Sequence, residues 1–178
     1  MKRKLHFKEK LLLPFQQIRN WFLVKRFPFL KPSLGYGCDM HYHRNGYKYR
    51  YEETWLDCLP RGWRKKFGIQ ICKELKAVIE RDKLSKYAVT QVKEKFGILC
   101  WYDEGGNKET NKIVSKYADM TSEICIYCGK PAEYVAKNWI QYYCPECIDK
   151  FNMKDKAQNI RLTKLINEAN GWHTINKL

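Results

Sequence analysis

Four cysteines have the type and spacing to do chemistry: Cys125-x-x-Cys128, within CIYCGKP, and Cys144-x-x-Cys147, within CPEC. Fifteen residues separate the two pairs, a spacing found in four-thiolate zinc sites. Zn²⁺ takes four soft ligands in a tetrahedron, at about 2.3 Å for each sulfur. A C-x-x-C turn aims two thiolates at one point, and Gly129 after Cys128 relieves the crowded backbone of that turn. A short hairpin between the pairs would bring the two turns together. Four protein ligands leave no position for water, so the expected Zn²⁺ is structural and not catalytic. Two unrelated C-x-x-C pairs, or a redox dithiol, are the competing readings.

A second group lies upstream in CDMHYH. Cys38, His41 and His43, with Cys58, could form a second zinc site, and Asp39, His41 and His43 could hold a divalent ion beside a scissile phosphate in a metal nuclease. Nucleases of the HNH kind often carry paired C-x-x-C knuckles. Here no histidine lies between the knuckles, and His43-Arg44-Asn45 stands far upstream. The chain lacks G-x-S-x-G, a Walker loop, G-x-G-x-x-G and H-E-x-x-H. Its residues therefore favour a binding protein over an enzyme.

The charge is +15 over 178 residues, and it is unevenly placed. Residues 1–66 carry 16 Lys/Arg against 5 Asp/Glu, and residues 67–178 carry 18 against 14. Such a basic field attracts phosphates, acidic lipid surfaces or acidic protein patches. Aromatics make up 15% of residues, enough for a packed core. Cys38, Cys58, Cys72 and Cys100 are scattered singly, Cys72 and Cys100 within apolar patterns that predict burial. With the metal-type spacing of the other four, this points to a reducing, cytoplasmic setting. No signal peptide is evident, and no stretch has the roughly 18 apolar residues needed to span a bilayer.

The elements that must position these residues read as α+β: small antiparallel hairpins packed by helices, with a four-cysteine zinc ribbon near the C-terminus. Residues 1–57 form a basic segment. Within it, residues 8–27 predict an amphipathic helix, with Leu11, Phe15, Ile18 and Phe22 on one face. That face is expected on the chain's own core; a partner protein and an anionic membrane surface are the other two placements. A turn at Asn45-Gly46 would lead into a strand on which Tyr47, Tyr49 and Tyr51 alternate with Lys48 and Arg50. Stacking rings and cations together suit single-stranded nucleic acid, although tyrosines packed inward would give the same pattern.

Residues 58–124 read as the α+β core. A Pro-Arg-Gly turn precedes a helix with Phe67, Ile71, Leu75 and Val78 on one face, and Gly68 within it predicts a close contact. Arg64, Lys65 and Lys66 add cations. KYAVTQVKEKFGILCWYDEGG predicts a hairpin turning near Gly97, and a second helix over 108–123 leads into Cys125. Residues 125–150 are the ribbon, turning near Lys137-Asn138. Residues 151–178 hold a helix over 155–170, using Leu162, Leu165, Ile166 and Ala169 and ended by Gly171.

CLPRGWRKKFG, QVKEKFGILCWYDEGG and CIYCGKP, each pair joined by a helix, resemble a group of small bacteriophage and prophage proteins of unknown function. These share a Pro-x-Gly-Trp turn, a Lys-Glu-Lys-Phe-Gly hairpin and a following zinc ribbon. The resemblance covers roughly residues 55–150, at Pro60, Gly62, Trp63, Phe67, Gly68, Lys93, Lys95, Phe96, Gly97, Trp101, Tyr102 and the four cysteines. It implies a viral origin and a fold, without an established activity. Lys93 and Lys95, which a core does not need, are the best candidates for phosphate contacts.

Three function classes follow. One is a non-enzymatic protein binding the nucleic-acid phosphate backbone through Arg44, Tyr47, Lys48, Tyr49, Arg50, Arg64, Lys65, Lys66, Lys93 and Lys95. The second is a phage inhibitor of a bacterial defence nucleoprotein, blocking a CRISPR-type nuclease or capturing a nucleotide signal. The third is the metal nuclease.

Overall fold

The computed structural model of this chain describes residues 7–32, 49–136, 140–153 and 156–160, with the side chains of the first helix described from residue 13 onward. The fold is α+β, as expected. Helix α1 (Phe7–Arg26) is followed by a 3-10 turn at Pro28–Leu30. A second 3-10 turn (Trp55–Cys58) leads into a continuous helical run: α2 (Arg61–Trp63), a π turn (Arg64–Gly68) and α3 (Ile69–Arg81). Strands β1 (Ala88–Lys95) and β2 (Ile98–Glu104) pair antiparallel. Helix α4 (Lys108–Asp119) continues into a 3-10 turn (Met120–Glu123). Strands β3 (Tyr134–Ala136) and β4 (Tyr142–Tyr143), helix α5 (Pro145–Lys150) and strand β5 (Ala157–Asn159) complete the described part.

The local reasons for these elements are in the residues. Phe96 and Gly97 form a two-residue turn with φ of 52° and 75°, the doubly left-handed arrangement whose twist matches paired strands. It sets the register Lys95↔Ile98, Lys93↔Cys100, Gln91↔Tyr102, with a bulge between Val89 and Gln91. Val89, Val92, Leu99 and Trp101 are thereby buried. Asn107 caps α4: its side-chain oxygen accepts from the Glu109 and Thr110 amides, and the Thr110 hydroxyl accepts from the Asn107 amide. The same Asn107 donates to Asp82 at 2.7 Å, tying the end of α3 to the start of α4. Farther along these helices Phe67 and Tyr117 stack at 5.1 Å, and Tyr117 donates to Glu74.

One core runs through the described residues. Phe27 and Leu30 from the N-terminal segment, Trp55, Trp63, Phe67, Ile71 and Leu75, and Cys125, Tyr143, Ile148 and Ala157 belong to the same buried cluster. The boundaries expected at 57/58 and 124/125 therefore fall inside a single packed unit.

Four expectations are corrected. The α1 face carrying Phe15, Ile18 and Phe22 does not pack on the chain's own core; these residues are exposed, as is Trp21. The inward residues are Gln16, Asn20 and Leu23, because Gln16 and Asn20 donate to the backbone carbonyls of Glu52 and Tyr51. Residues 49–51 are not a strand: Tyr51 has φ of 61°, which breaks the extended alternation. The close glycine contact falls at Gly62; at Gly68 an added Cβ would meet Arg64 and Leu56 at 3.4 and 3.6 Å, ordinary or slightly tight distances. Residues 157–159 are strand β5, paired antiparallel with β3, where a helix was expected to begin. Ile160 is helical; residues 161–170 of that helix, the Asn45-Gly46 turn and the Lys137-Asn138 turn lie outside the described residues.

At Gly62 an added Cβ would lie 2.1 Å from the Cys125 carbonyl oxygen and 2.7 Å from the Ile126 backbone. Gly62→Ala is expected to lower stability by about 3 kcal/mol, read as a fall in thermal or urea midpoint. A midpoint within error of the parent would show that the two backbones can separate without cost.

Candidate metal centre

The first cysteine pair is shaped by backbone bonds on three sides. The Cys125 amide donates to Lys130 O at 2.8 Å, the Gly129 amide donates to Cys125 O at 3.0 Å, and Ile126 N donates to Tyr142 O at 2.8 Å. Gly129 takes φ of 84°, the turn conformation expected of it. The second pair is made by α5. Cys144 is its N-cap and Pro145 its first residue, while Cys147 sits in the first turn with its amide donating to Cys144 O at 3.1 Å. Strand β3 joins the pairs, with Tyr134↔Tyr143 and Val135↔Tyr142 in register with β4. Strand β5 covers the other edge of β3.

The four sulfurs lie within 4.8 Å of one another, and Cys128 and Cys144 approach to 3.4 Å. A tetrahedron of sulfurs about a metal at about 2.3 Å has edges of about 3.8 Å, so the cluster fits a single ion. Cys125, Cys144 and Cys147 are buried and Cys128 is half-buried. Burial raises the Cys144 and Cys147 thiols. Burial also opposes ionisation of Cys125, but backbone N–H donors from Cys128, Cys144 and Tyr127 outweigh it and lower that thiol. A bound cation would stabilise all four thiolates together. Outside the shell, Lys130 and Glu146 pair at 2.5 Å across the two knuckles. Among the described residues this is the one group of three or more His, Cys, Asp or Glu side chains arranged to hold an ion.

The other candidates fare differently. Cys38, Asp39, His41 and His43 lie outside the described residues, as do Arg44, Tyr47 and Lys48. Cys58 is disulfide-bonded, where a lone reduced cysteine was expected. Tyr49 and Tyr51 are half-buried with their rings tilted against each other at 4.9 Å, and Lys31 Nζ lies 5.5 Å from the Tyr49 ring. Arg50 is exposed. Arg64 donates to Asp57 at 2.7 Å, and Arg19 pairs with the same carboxylate, so Arg64 is already engaged. Lys65 and Lys66 are exposed. Cys72 is buried and its thiol is pushed up to about 12 by that burial, the behaviour of an inert core residue. Cys100 is half-buried.

Lys93 and Lys95 stand on the outer face of the β1–β2 hairpin, opposite Cys100 and Ile98. Lys93 Nζ sits 5.3 Å from the Tyr102 ring, and Lys95 Nζ sits 5.6 Å from the Phe96 ring. Glu94 points the other way and accepts from the Gly97 amide at 2.7 Å. Sequence reasoning missed that Phe96, Ile98, Tyr102 and Ile140 are all exposed. Phe96 at a hairpin tip was the available signal, because a turn residue has no core to face. The tip also rests on the ribbon: an added Cβ at Gly97 would meet Tyr142 at 2.8 Å and Ile140 O at 3.0 Å.

Cys128→Ser is expected to remove most of the bound metal, one ion per chain in the parent, and to unfold the region from residue 125 to 150. Cys72→Ser should leave the metal content unchanged. Because protons compete for thiolates, retention should fall as pH is lowered from 7.5 toward 5. Equilibrium dialysis with elemental analysis measures all three. A parent chain without stoichiometric metal, or equal retention in Cys128→Ser, would refute the assignment.

No protein-family model matches the chain, and neither a curated protein nor a solved structure matches it.

Proposed function

We propose that this chain is a non-enzymatic zinc-ribbon protein of the phage type that binds nucleic acid through the outer face of its β1–β2 hairpin. The observation that carries this reading is the row Gln91, Lys93 and Lys95 facing Tyr102, Cys100 and Ile98, with Phe96 at the tip. Rings there are exposed, and each of the two ammonium groups lies within 6 Å of one. A base stacks on a ring while a neighbouring ammonium takes the phosphate, the arrangement used by sequence-tolerant single-strand binders. Glu94, turned to the other face, leaves the row without a carboxylate among its paired positions. The chain's +15 charge supplies the long-range attraction.

Zn²⁺ is the metal this reading assigns to the four cysteines, since an all-thiolate tetrahedron suits a closed structural zinc site. Its role is to hold the ribbon against the hairpin tip. Four reduced cysteines support a cytoplasmic setting, and the resemblance to phage proteins supports a bacterial host; the Cys58 disulfide is the observation against it.

Fluorescence anisotropy with a labelled single-stranded 20-mer tests the surface. Lys93→Glu with Lys95→Glu should weaken binding at least tenfold at low salt and reduce the slope of log K against log salt by about 1.4, the share of two single-strand phosphate contacts. Tyr102→Ala should cost about 1–3 kcal/mol. The melting temperatures should stay near that of the parent. Affinity and slope unchanged in the double variant would overturn the assignment. A stoichiometric host nucleoprotein captured after nuclease treatment, with no binding to the 20-mer, would replace it with inhibition of a defence complex.

A further inference from the structure

Helix α1 presents to solvent the face that its periodicity marks as apolar. Phe15 is 72% exposed, Phe22 61%, Ile18 56% and Trp21 41%. At about 100° per residue these four fall within one third of the helix circumference. The helix cannot simply roll to bury them. Its opposite face is fixed by Gln16 to Glu52 O at 2.8 Å, Asn20 to Tyr51 O at 3.0 Å and the Arg19–Asp57 ion pair. Asn20 is fully buried, so rolling would strand a buried amide and two carbonyls without partners.

Charge decides what covers this face. Helix α1 carries Lys8, Lys10, Arg19, Lys25 and Arg26 against a single acidic residue, Glu9. Arg19 is tied to Asp57 on the inner side, while Lys25 and Arg26 are exposed, and Lys25 Nζ lies 5.7 Å from the Trp21 ring. A second copy would set this basic helix against itself. Taken together, the segments of this chain outside the described residues are also net basic: residues 161–178 hold Arg161, Lys164 and Lys177 against Glu168. The complement must therefore be anionic. A protein groove that engulfs a helix needs its flanks, and one side of α1 is already taken by the body of the protein. A flat surface needs only the outer half.

We propose that the outer face of α1 docks the protein on an anionic phospholipid bilayer. The helix would lie in the interface plane with Phe15, Ile18, Trp21 and Phe22 in the headgroup–acyl boundary. Lys25 and Arg26 would reach lipid phosphates. No described helix is long and apolar enough to cross a membrane.

The test is co-sedimentation of the full chain with vesicles of phosphatidylcholine alone or with half phosphatidylglycerol, together with quenching of Trp fluorescence by brominated acyl chains. Binding should need the anionic lipid and be accompanied by quenching. Phe15→Ser with Phe22→Ser, at exposed positions, should lower it at least tenfold without changing the melt. Trp21→Phe should remove most of the quenching while preserving sedimentation. Lys93→Glu with Lys95→Glu should leave vesicle binding intact, which separates this face from the nucleic-acid surface. No anionic-lipid binding, equal binding by the Phe15/Phe22 variant, or unquenched adsorption would each overturn the proposal. So would a dimer that dissociates in that variant, or a lipid-independent acidic protein partner lost in it.

Discussion

The fold depends on one backbone contact, where Gly62 meets the first cysteine knuckle. Its amide donates to Ile126 O at 2.8 Å, and there is no room for a side chain between its Cα and the Cys125 carbonyl. Gly129 sits on the other side of the same approach, with the Gly62 carbonyl oxygen 2.7 Å from where its Cβ would be. The helical run that starts at Arg61 is thereby fixed to the peptide that presents Cys125 and Cys128. Burial of Trp63 and Phe67 in the core and closure of the sulfur cluster are then two ends of one rigid connection. A metal bound at the cysteines would stabilise more than a local loop, because its first knuckle forms part of the wall against which the core packs.

The hairpin is held at its other end by the same ribbon. Gly97 lies against Tyr142 and Ile140, so the tip of β1–β2 rests on the strand leading to Cys144. The outer row of Lys93, Lys95, Phe96 and Tyr102 is thus placed by two supports, the core beneath its inner face and the ribbon at its tip. A recognition surface on a two-stranded ribbon alone would be marginal, since isolated hairpins are barely stable in water.

The parts legible in the sequence were those set by local rules. Cysteine spacing named the four sulfurs that cluster, Gly97 marked the neighbourhood of the hairpin turn, and the spacing of Phe67, Ile71 and Leu75 named a buried helix face. Each failure has a long-range cause. Periodicity marked the apolar face of α1 but could not say which face would meet the body. Gln16 and Asn20 decided that by finding carbonyls at Glu52 and Tyr51, more than thirty residues away. Residues 157–159 have no strand pattern of their own; they are extended because the free edge of β3 offers them hydrogen bonds. Tyr49 and Tyr51 alternate in sequence, yet the positive φ at Tyr51 departs from extended geometry, and the two rings meet at 4.9 Å with their planes tilted by 59°.

The inverted helix follows from the same competition between local pattern and long-range polar contacts. A carbonyl in the 49–53 segment that is held against the body must find a donor, and burying it unpaired costs about 1–3 kcal/mol. Gln16 and Asn20 supply donors to two such carbonyls. With those bonds made, the apolar face of the helix is left exposed. Leaving several large apolar side chains in water is a standing cost, on the order of 1.5–3 kcal/mol for each one that a partner surface could fully bury. That cost is the free energy available to whatever surface covers them. The cations around the stripe restrict that surface to one bearing negative charge.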